Sequence, residues 1–215
     1  MGLARILGRQ LRQPSGWFGR WVMSRSLNRG NADLIGECVQ ALELSSEDTL
    51  LDVGFGGGGA LRQASTIVTQ GHLYGVDFSP DMVAQAHRSL GDLIRSGRLS
   101  VLTGDVMSLP LADGLCTKIL STNTIYFWAD LPSAFARLRR VLAPGGRLVL
   151  GFSGQEKLDR YGAVTQQGFA KYSDAEVISA LRDAGFDQVV VRSLHRGRTV
   201  GDYLAIAGNP GRPTP

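Results

Sequence analysis

The sequence predicts an α/β fold: a doubly wound, mostly parallel seven-stranded sheet with helices on both faces, a C-terminal antiparallel hairpin and an N-terminal helical arm. Three features carry this expectation. Short apolar runs alternate with longer amphipathic segments through the middle of the chain. The intervals between the first five runs are of crossover length, so those strands run parallel and are covered on both faces. The last two runs are separated only by "HRGRT", too short for a crossover, so they pair antiparallel at the sheet edge.

In chain order, "NADLIGECVQALEL" (31–44) spaces Leu34, Ile35, Cys38, Val39 and Leu42 as one helical face, with Asn31 as its cap. The first five strands are "TLLDVG" (49–54), "HLYGVD" (72–77), "RLSVLTGD" (98–105), "TKILSTN" (117–123) and "RLVLGF" (147–152). Helices are expected over 59–68, 80–95 and 131–142. Their ends are marked by Ser79-Pro80, by Asp130 as a cap, and by Pro144-Gly145-Gly146 as a stop. Residues 153–171 lack periodicity and read as an active-site loop or irregular insertion. Ser173 and Glu176 then form a capping box for a helix that stops at Gly185. "FDQVVVRSL" (186–194) and "VGDYLAIAG" (200–208) complete the sheet, and 211–215 is a tail.

A chain of 215 residues buries about two-thirds or more of the surface its unfolded form exposes, enough for a self-sufficient core. One domain is expected, with residues 1–45 as a helical arm or lid and 46–210 as the body. Cys38 and Cys116 form no CxxC pair or Cys/His cluster, so no metal site is expected and buried thiols in a reducing compartment, the cytoplasm, are the reading. No apolar run reaches the length of a membrane span. Residues 1–30 hold Arg5, Arg9, Arg12, Arg20, Arg25 and Arg29 and no acid, which leaves the rest slightly acidic. That arm suits contact with a membrane surface or an anionic partner, or an organellar presequence. It equally suits helices packed through Ile6, Leu7, Leu11, Trp17, Trp21 and Val22 with their arginines in solvent.

The chemistry is concentrated in "LLDVGFGGGGALRQA" (50–64). Glycine at a strand-to-helix turn permits positive φ and lets a ligand reach the backbone without meeting a Cβ. The helix that follows offers unpaired amide donors. Gly54-x-Gly56-x-x-Gly59 also satisfies the dinucleotide fingerprint, so the glycines alone do not choose. Asp52 opposes a pyrophosphate but suits a ligand bearing an ammonium group. Asp77, ending the second strand, can accept both hydroxyls of a ribose. Asp105, ending the third, stands beside the Val106 amide, a pair able to read an adenine edge.

Asp52-Val53-Gly54-Phe55-Gly56-Gly57-Gly58 resembles the (D/E)xGxGxG loop of class I S-adenosylmethionine-dependent methyltransferases. "GVDFSPDMVAQA", "LTGDVMSLPLADG" and "LRRVLAPGGRLVL" resemble the segments that follow it there, and the likeness covers roughly residues 48–152 with the closing hairpin. Its nearest look is to the small-molecule branch that includes quinone-biosynthesis enzymes. The resemblance implies that Asp52 and the Gly54–Gly58 loop, Phe55 within it, take the methionine end of the cofactor. Asp77 would hold the ribose and Asp105 with the Val106 amide the adenine. Phe78 and Met82 would be apolar neighbours of the adenosine, and Asn123 would line the methionine side.

The expected activity is methyl transfer by in-line displacement to a small apolar or aromatic acceptor. Tyr126 and Trp128, in "NTIYFW" after the fourth strand, and Trp17 and Trp21 of the arm are the candidate acceptor contacts. His72 and His87 read as structural or solvated, and His195 falls in the terminal hairpin turn, so no catalytic residue is assigned. A non-catalytic protein on the same fold is the alternative. An NAD-dependent oxidoreductase is disfavoured because no tyrosine has lysine four residues on. A nucleic-acid acceptor is not expected, because "NTIYFW" lacks the Asn/Asp-Pro-Pro-aromatic signature and the basic charge is confined to one end.

Overall fold

In the computed structural model, residues 32–160, 170–195 and 199–210 are described. The arm up to residue 31, with Trp17, Trp21 and the Asn31 cap, and the tail lie outside them. The described chain forms one seven-stranded sheet in the order β3-β2-β1-β4-β5-β7-β6. Its strands are β1 (Thr49–Val53), β2 (His72–Asp77), β3 (Leu99–Thr103), β4 (Cys116–Thr122), β5 (Leu142–Ser153), β6 (Asp187–Leu194) and β7 (Asp202–Gly208). β1 to β5 pair in parallel, while β7 lies antiparallel between β5 and β6. This is the predicted doubly wound sheet with its closing hairpin.

Successive strand residues point to opposite faces, and the sequence makes both faces apolar. In β1, Leu50 enters the core under α1 (Ala32–Ala41) and α2 (Gly59–Ala64), and Leu51 enters the core on the other face. α3 (Pro80–Ser89) and α4 (Gly91–Arg95) complete the first face; α5 (Leu131–Val141) and α7 (Asp174–Asp183) cover the second. α5 begins where Asp130 accepts the Ser133 N–H at 2.8 Å, and it buries Leu131, Ala134, Phe135, Leu138 and Val141. α7 begins with the predicted Ser173–Glu176 capping box.

Three boundaries differ from expectation. The helix expected over 59–68 keeps its regular part only to Ala64. The helix expected over 80–95 breaks at Leu90, whose backbone leaves the helical region at φ −117 and ψ 19. The Leu90 side chain then packs beneath the glycine loop. Pro144-Gly145-Gly146 ends no helix: α5 has already stopped at Val141, and these residues form an excursion within β5. Asn209 holds that excursion, its amide donating to the Leu142 carbonyl at 2.6 Å and the Ala143 carbonyl at 3.2 Å.

The supposed irregular insertion opens with a short helix, α6 (Gln155–Arg160). It carries a single buried apolar residue, Leu158, so it has no periodicity to read. Lys157 on α6 reaches Asp202 at the start of β7, 2.7 Å away, and Ser153 donates to the same carboxylate at 2.6 Å. The contact spans 45 positions of sequence, which no local pattern reveals. Residues 161–169 of the insertion are outside the described set.

The direction of α1 matters for function. Leu34 and Cys38 lie against Gly151 near the carboxyl end of β5, where a Cβ would come 2.5 Å from the Cys38 sulfur. At the opposite end of the helix, the Ala41 carbonyl accepts from Arg147 at 3.0 Å. The N-terminus of α1 is therefore directed at the carboxyl rim of the sheet. Among the described residues no helix is long and apolar enough to cross a membrane.

Candidate active site at the carboxyl rim

The strand order reverses between β1 and β4, which opens a crevice outside their carboxyl ends where α/β sheets bind ligands. The glycine loop forms one wall. Gly54, Gly56 and Gly58 all have positive φ, at 73°, 51° and 75°. Their surroundings divide their roles. A Cβ on Gly54 would collide with the Thr124 methyl, and one on Gly58 would sit 2.8 Å from Leu90 Cδ1. A Cβ on Gly56 would meet nothing nearer than 4.0 Å. Gly54 and Gly58 are glycine because the protein packs there, whereas Gly56 borders open space, the approach a ligand needs. Phe55 instead turns inward over Gly75 and belongs to the core with Leu61.

Two carboxylates stand under this loop. Asp77, at the end of β2, accepts the Gly56 N–H on Oδ2 and the Ser79 N–H on Oδ1, both at 2.9 Å. Burial raises its pKa, and the two N–H bonds pull it part of the way back. Asp52 is 3% exposed and has no hydrogen-bond partner among the described residues. Burial, with the Asp77 charge adding to it, pushes the Asp52 carboxyl up from 3.8 to about 8. A buried acid without donors is destabilising by itself and suits an incoming cation. Above it, burial also holds the Cys38 thiol protonated.

The remaining candidates occupy different stations. Phe78 follows Asp77 and is 39% exposed. Met82 is buried in the core. Asp105 lies at the surface and caps its own turn, Oδ1 accepting the Met107 N–H at 2.9 Å, while Val106 is buried beside it. Asn123, at φ 56, ends β4 and lies next to the first glycine through its neighbour Thr124. Tyr126 and Trp128 do not open onto the crevice: both are buried, Trp128 edge-on to Phe135 and Tyr126 bonded to Ser153 and Asn123. Trp17 and Trp21 are outside the described residues.

The residues present fit a nucleoside carrying an amino-acid tail. There is bare main chain at Gly56, a buried acid for an ammonium group, a second acid at the end of β2 and an exposed ring beside it. Sequence reading missed the roles of Thr124, Leu90 and the Ser79 amide. Thr124 and Leu90 are apolar contacts to glycines, and such contacts leave no local signature.

Comparison with known proteins agrees. Residues 51–150 match the model of the methyltransferase domain family. A 37.1 kDa protein in transposon Tn4556 of Streptomyces fradiae, described as uncharacterized, is 37% identical over 78% of this chain and 44% of its own length. The demethylmenaquinone methyltransferase of Thermus thermophilus is 32% identical over 52% of this chain and 51% of its own. The chain thus spans about half the length of these two relatives. Among solved structures, a chain in a complex between the Haloferax volcanii Trm112 methyltransferase activator and a methyltransferase superposes with a TM-score of 0.73. It shares 25% identity, over 89% of this chain and 97% of that one.

Residues 51–150 thus carry a methyltransferase domain, and the sheet order and glycine loop are those of the class I S-adenosylmethionine-dependent methyltransferase fold. The chain's relatives include enzymes of quinone biosynthesis.

The division among the glycines is testable. Gly54→Ala should destabilise the fold by on the order of 2 kcal/mol or more, because left-handed strain and overpacking against Thr124 combine. Gly56→Ala should cost only the backbone strain, about 1–2 kcal/mol, yet weaken S-adenosylhomocysteine binding more. Urea unfolding and calorimetry on both variants check the contrast.

Proposed function

We propose that this protein methylates a small apolar or aromatic acceptor, and that Asp52, the Gly54–Gly58 loop, Asp77, Phe78, Asp105, Val106 and Asn123 hold its cofactor. When bound, S-adenosylmethionine supplies a methyl group on a sulfonium sulfur, open to in-line displacement. The chain's part is alignment and exclusion of water, which can supply several kcal/mol of the barrier. Asp52 would receive the ammonium group, Asp77 the ribose hydroxyls, and Asp105 with the Val106 amide the adenine edge, against the face of Phe78. Met82 and Phe55 would act from below, as packing for Phe78's strand end and the loop. The observation that carries the reading is the buried Asp52, without a hydrogen-bond partner among the described residues, at the start of a glycine loop in which Gly56 borders open space.

The acceptor would enter over the ends of β4 and β5. Trp17 and Trp21, which precede α1 in the sequence, would contact the acceptor, and the six arginines of residues 1–30 suit an anionic membrane surface presenting an apolar acceptor. Both cysteines are buried free thiols, the Cys116 thiol pushed up to about 12, which fits a reducing cytoplasm.

Calorimetry with S-adenosylmethionine, S-adenosylhomocysteine and NAD should show binding of the first two and not the third. A screen of quinols, phenols, amines and nucleic acids for S-adenosylhomocysteine release should find turnover with the small aromatic acceptors. Turnover confined to nucleic acid or protein side chains would overturn the acceptor class. Tight cofactor binding with no turnover on any acceptor would favour a non-catalytic role for the fold.

A further inference from the structure

Tyr126 is the meeting point of three rim segments, two held by its hydroxyl and one by its carbonyl. The hydroxyl accepts the backbone N–H of Ser153 at the end of β5, and it lies 2.8 Å from Asn123 Oδ1 at the end of β4. The Tyr126 carbonyl accepts the N–H of Ala170, where the described chain resumes after the α6 region, at 2.9 Å. The ring is buried and edge-on to Phe127, so the hydroxyl is fixed from behind.

This arrangement decides which way the Asn123 amide points. A backbone N–H can only donate, so the Ser153 N–H occupies a lone pair of the phenol oxygen. The phenol's own hydrogen is donated to the Asn123 carbonyl oxygen at 2.8 Å, the Ser153 carbonyl at 3.4 Å being a poorer acceptor. With Oδ1 engaged, Asn123 presents its NH2 group. This nitrogen has no hydrogen-bond partner among the described residues and is not sealed from solvent. Asn123 follows the carboxyl end of β4, the strand that neighbours β1 with its Asp52.

We propose that Tyr126 is a positioning residue: it locks the Asn123 amide so that its NH2 group donates to an oxygen of the cofactor's carboxylate. The proposal rests on the cofactor reading above and deepens it. The two ends of an amino-acid zwitterion then meet opposite partners, the ammonium group meeting Asp52 and the carboxylate meeting a neutral donor. An amide held the other way would set its oxygen against the carboxylate. Tyr126 thereby acts on the cofactor from within the core, which accounts for its burial at a position where an acceptor contact was expected.

Calorimetry with S-adenosylhomocysteine and with 5′-methylthioadenosine, which has the nucleoside and thioether but no amino-acid group, tests this on the full chain. Tyr126→Phe and Asn123→Ala should each weaken S-adenosylhomocysteine about three- to tenfold while leaving 5′-methylthioadenosine within about twofold, and the double variant should bind no more weakly than Asn123→Ala alone. Asn123→Asp should weaken S-adenosylhomocysteine most, because Tyr126 still engages one oxygen and turns the other toward the ligand carboxylate. That variant keeps the proposal exposed even if Tyr126→Phe folds poorly. Equal losses on both ligands, additive losses in the double variant, or unimpaired binding by Asn123→Asp would overturn it. Wild-type protein that binds 5′-methylthioadenosine and S-adenosylhomocysteine equally would overturn it too; wild type binding neither would remove the cofactor reading beneath it.

Discussion

Asp77→Ala should weaken S-adenosylmethionine and S-adenosylhomocysteine by at least about tenfold, since deleting a charged acceptor typically costs about 1.5–3 kcal/mol. Two losses combine. The ribose contact proposed for this carboxylate disappears, and the Gly56 and Ser79 N–H groups lose the acceptor that ties the glycine loop to the end of β2. Asp77→Asn should be nearly as damaging although it keeps the shape. Each carboxylate oxygen accepts a backbone N–H, so either orientation of an asparagine sets its NH2 group against a donor. Calorimetry on both variants, with thermal unfolding to confirm folding, checks this; wild-type affinity in Asp77→Ala would remove Asp77 from the site.

The legible parts of this fold are those written in local pattern. Leu50 and Leu51 face opposite cores and mark a strand covered on both sides, and Asp130 and Ser173 cap their helices as their spacing predicts. The antiparallel hairpin follows from the shortness of "HRGRT" alone. What stayed hidden depends on distant partners. Lys157 meets Asp202 across 45 residues, and α6 has only Leu158 to announce it. In the site, the acids and glycines are visible as residue types, but not which glycine serves packing and which serves the ligand. That division is set by Thr124 and Leu90, which pack on Gly54 and Gly58 and leave Gly56 open. Tyr126, a candidate acceptor contact from its place after β4, is buried, and its hydroxyl accepts the Ser153 amide, a partner no local pattern reveals.

Cofactor affinity should rise with pH between about 6 and 8, and Asp52 should be the cause. Without ligand, burial pushes its carboxyl up to about 8, so at neutral pH it is mostly protonated. A ligand ammonium group favours the ionised form, so binding expels that proton and is opposed by acid. The slope approaches, and cannot exceed, tenfold per pH unit for one proton. Of the groups facing it, Asp77 on β2 is also raised by burial, though two N–H bonds restrain it, and the Cys38 thiol on α1 stays protonated. Asp52→Asn should flatten the profile and weaken S-adenosylhomocysteine at pH 8. The stability of the empty protein should move the opposite way. The unfolded chain ionises Asp52 near 3.8 and the folded chain near 8. Through that window the folded state holds the extra proton, so this residue's contribution is full below about 4 and is lost as pH rises toward 8. Asp52→Asn escapes that loss, and its melting temperature should exceed the wild type's by a margin that widens from pH 5 to pH 8. Scanning calorimetry with and without S-adenosylhomocysteine separates the two effects, because ligand should restore the wild-type advantage. A pH-independent affinity, or a substituted protein that melts below the wild type at pH 8, would mean that Asp52 is already ionised and held by a partner. The ammonium group would then have to be bound elsewhere on the rim.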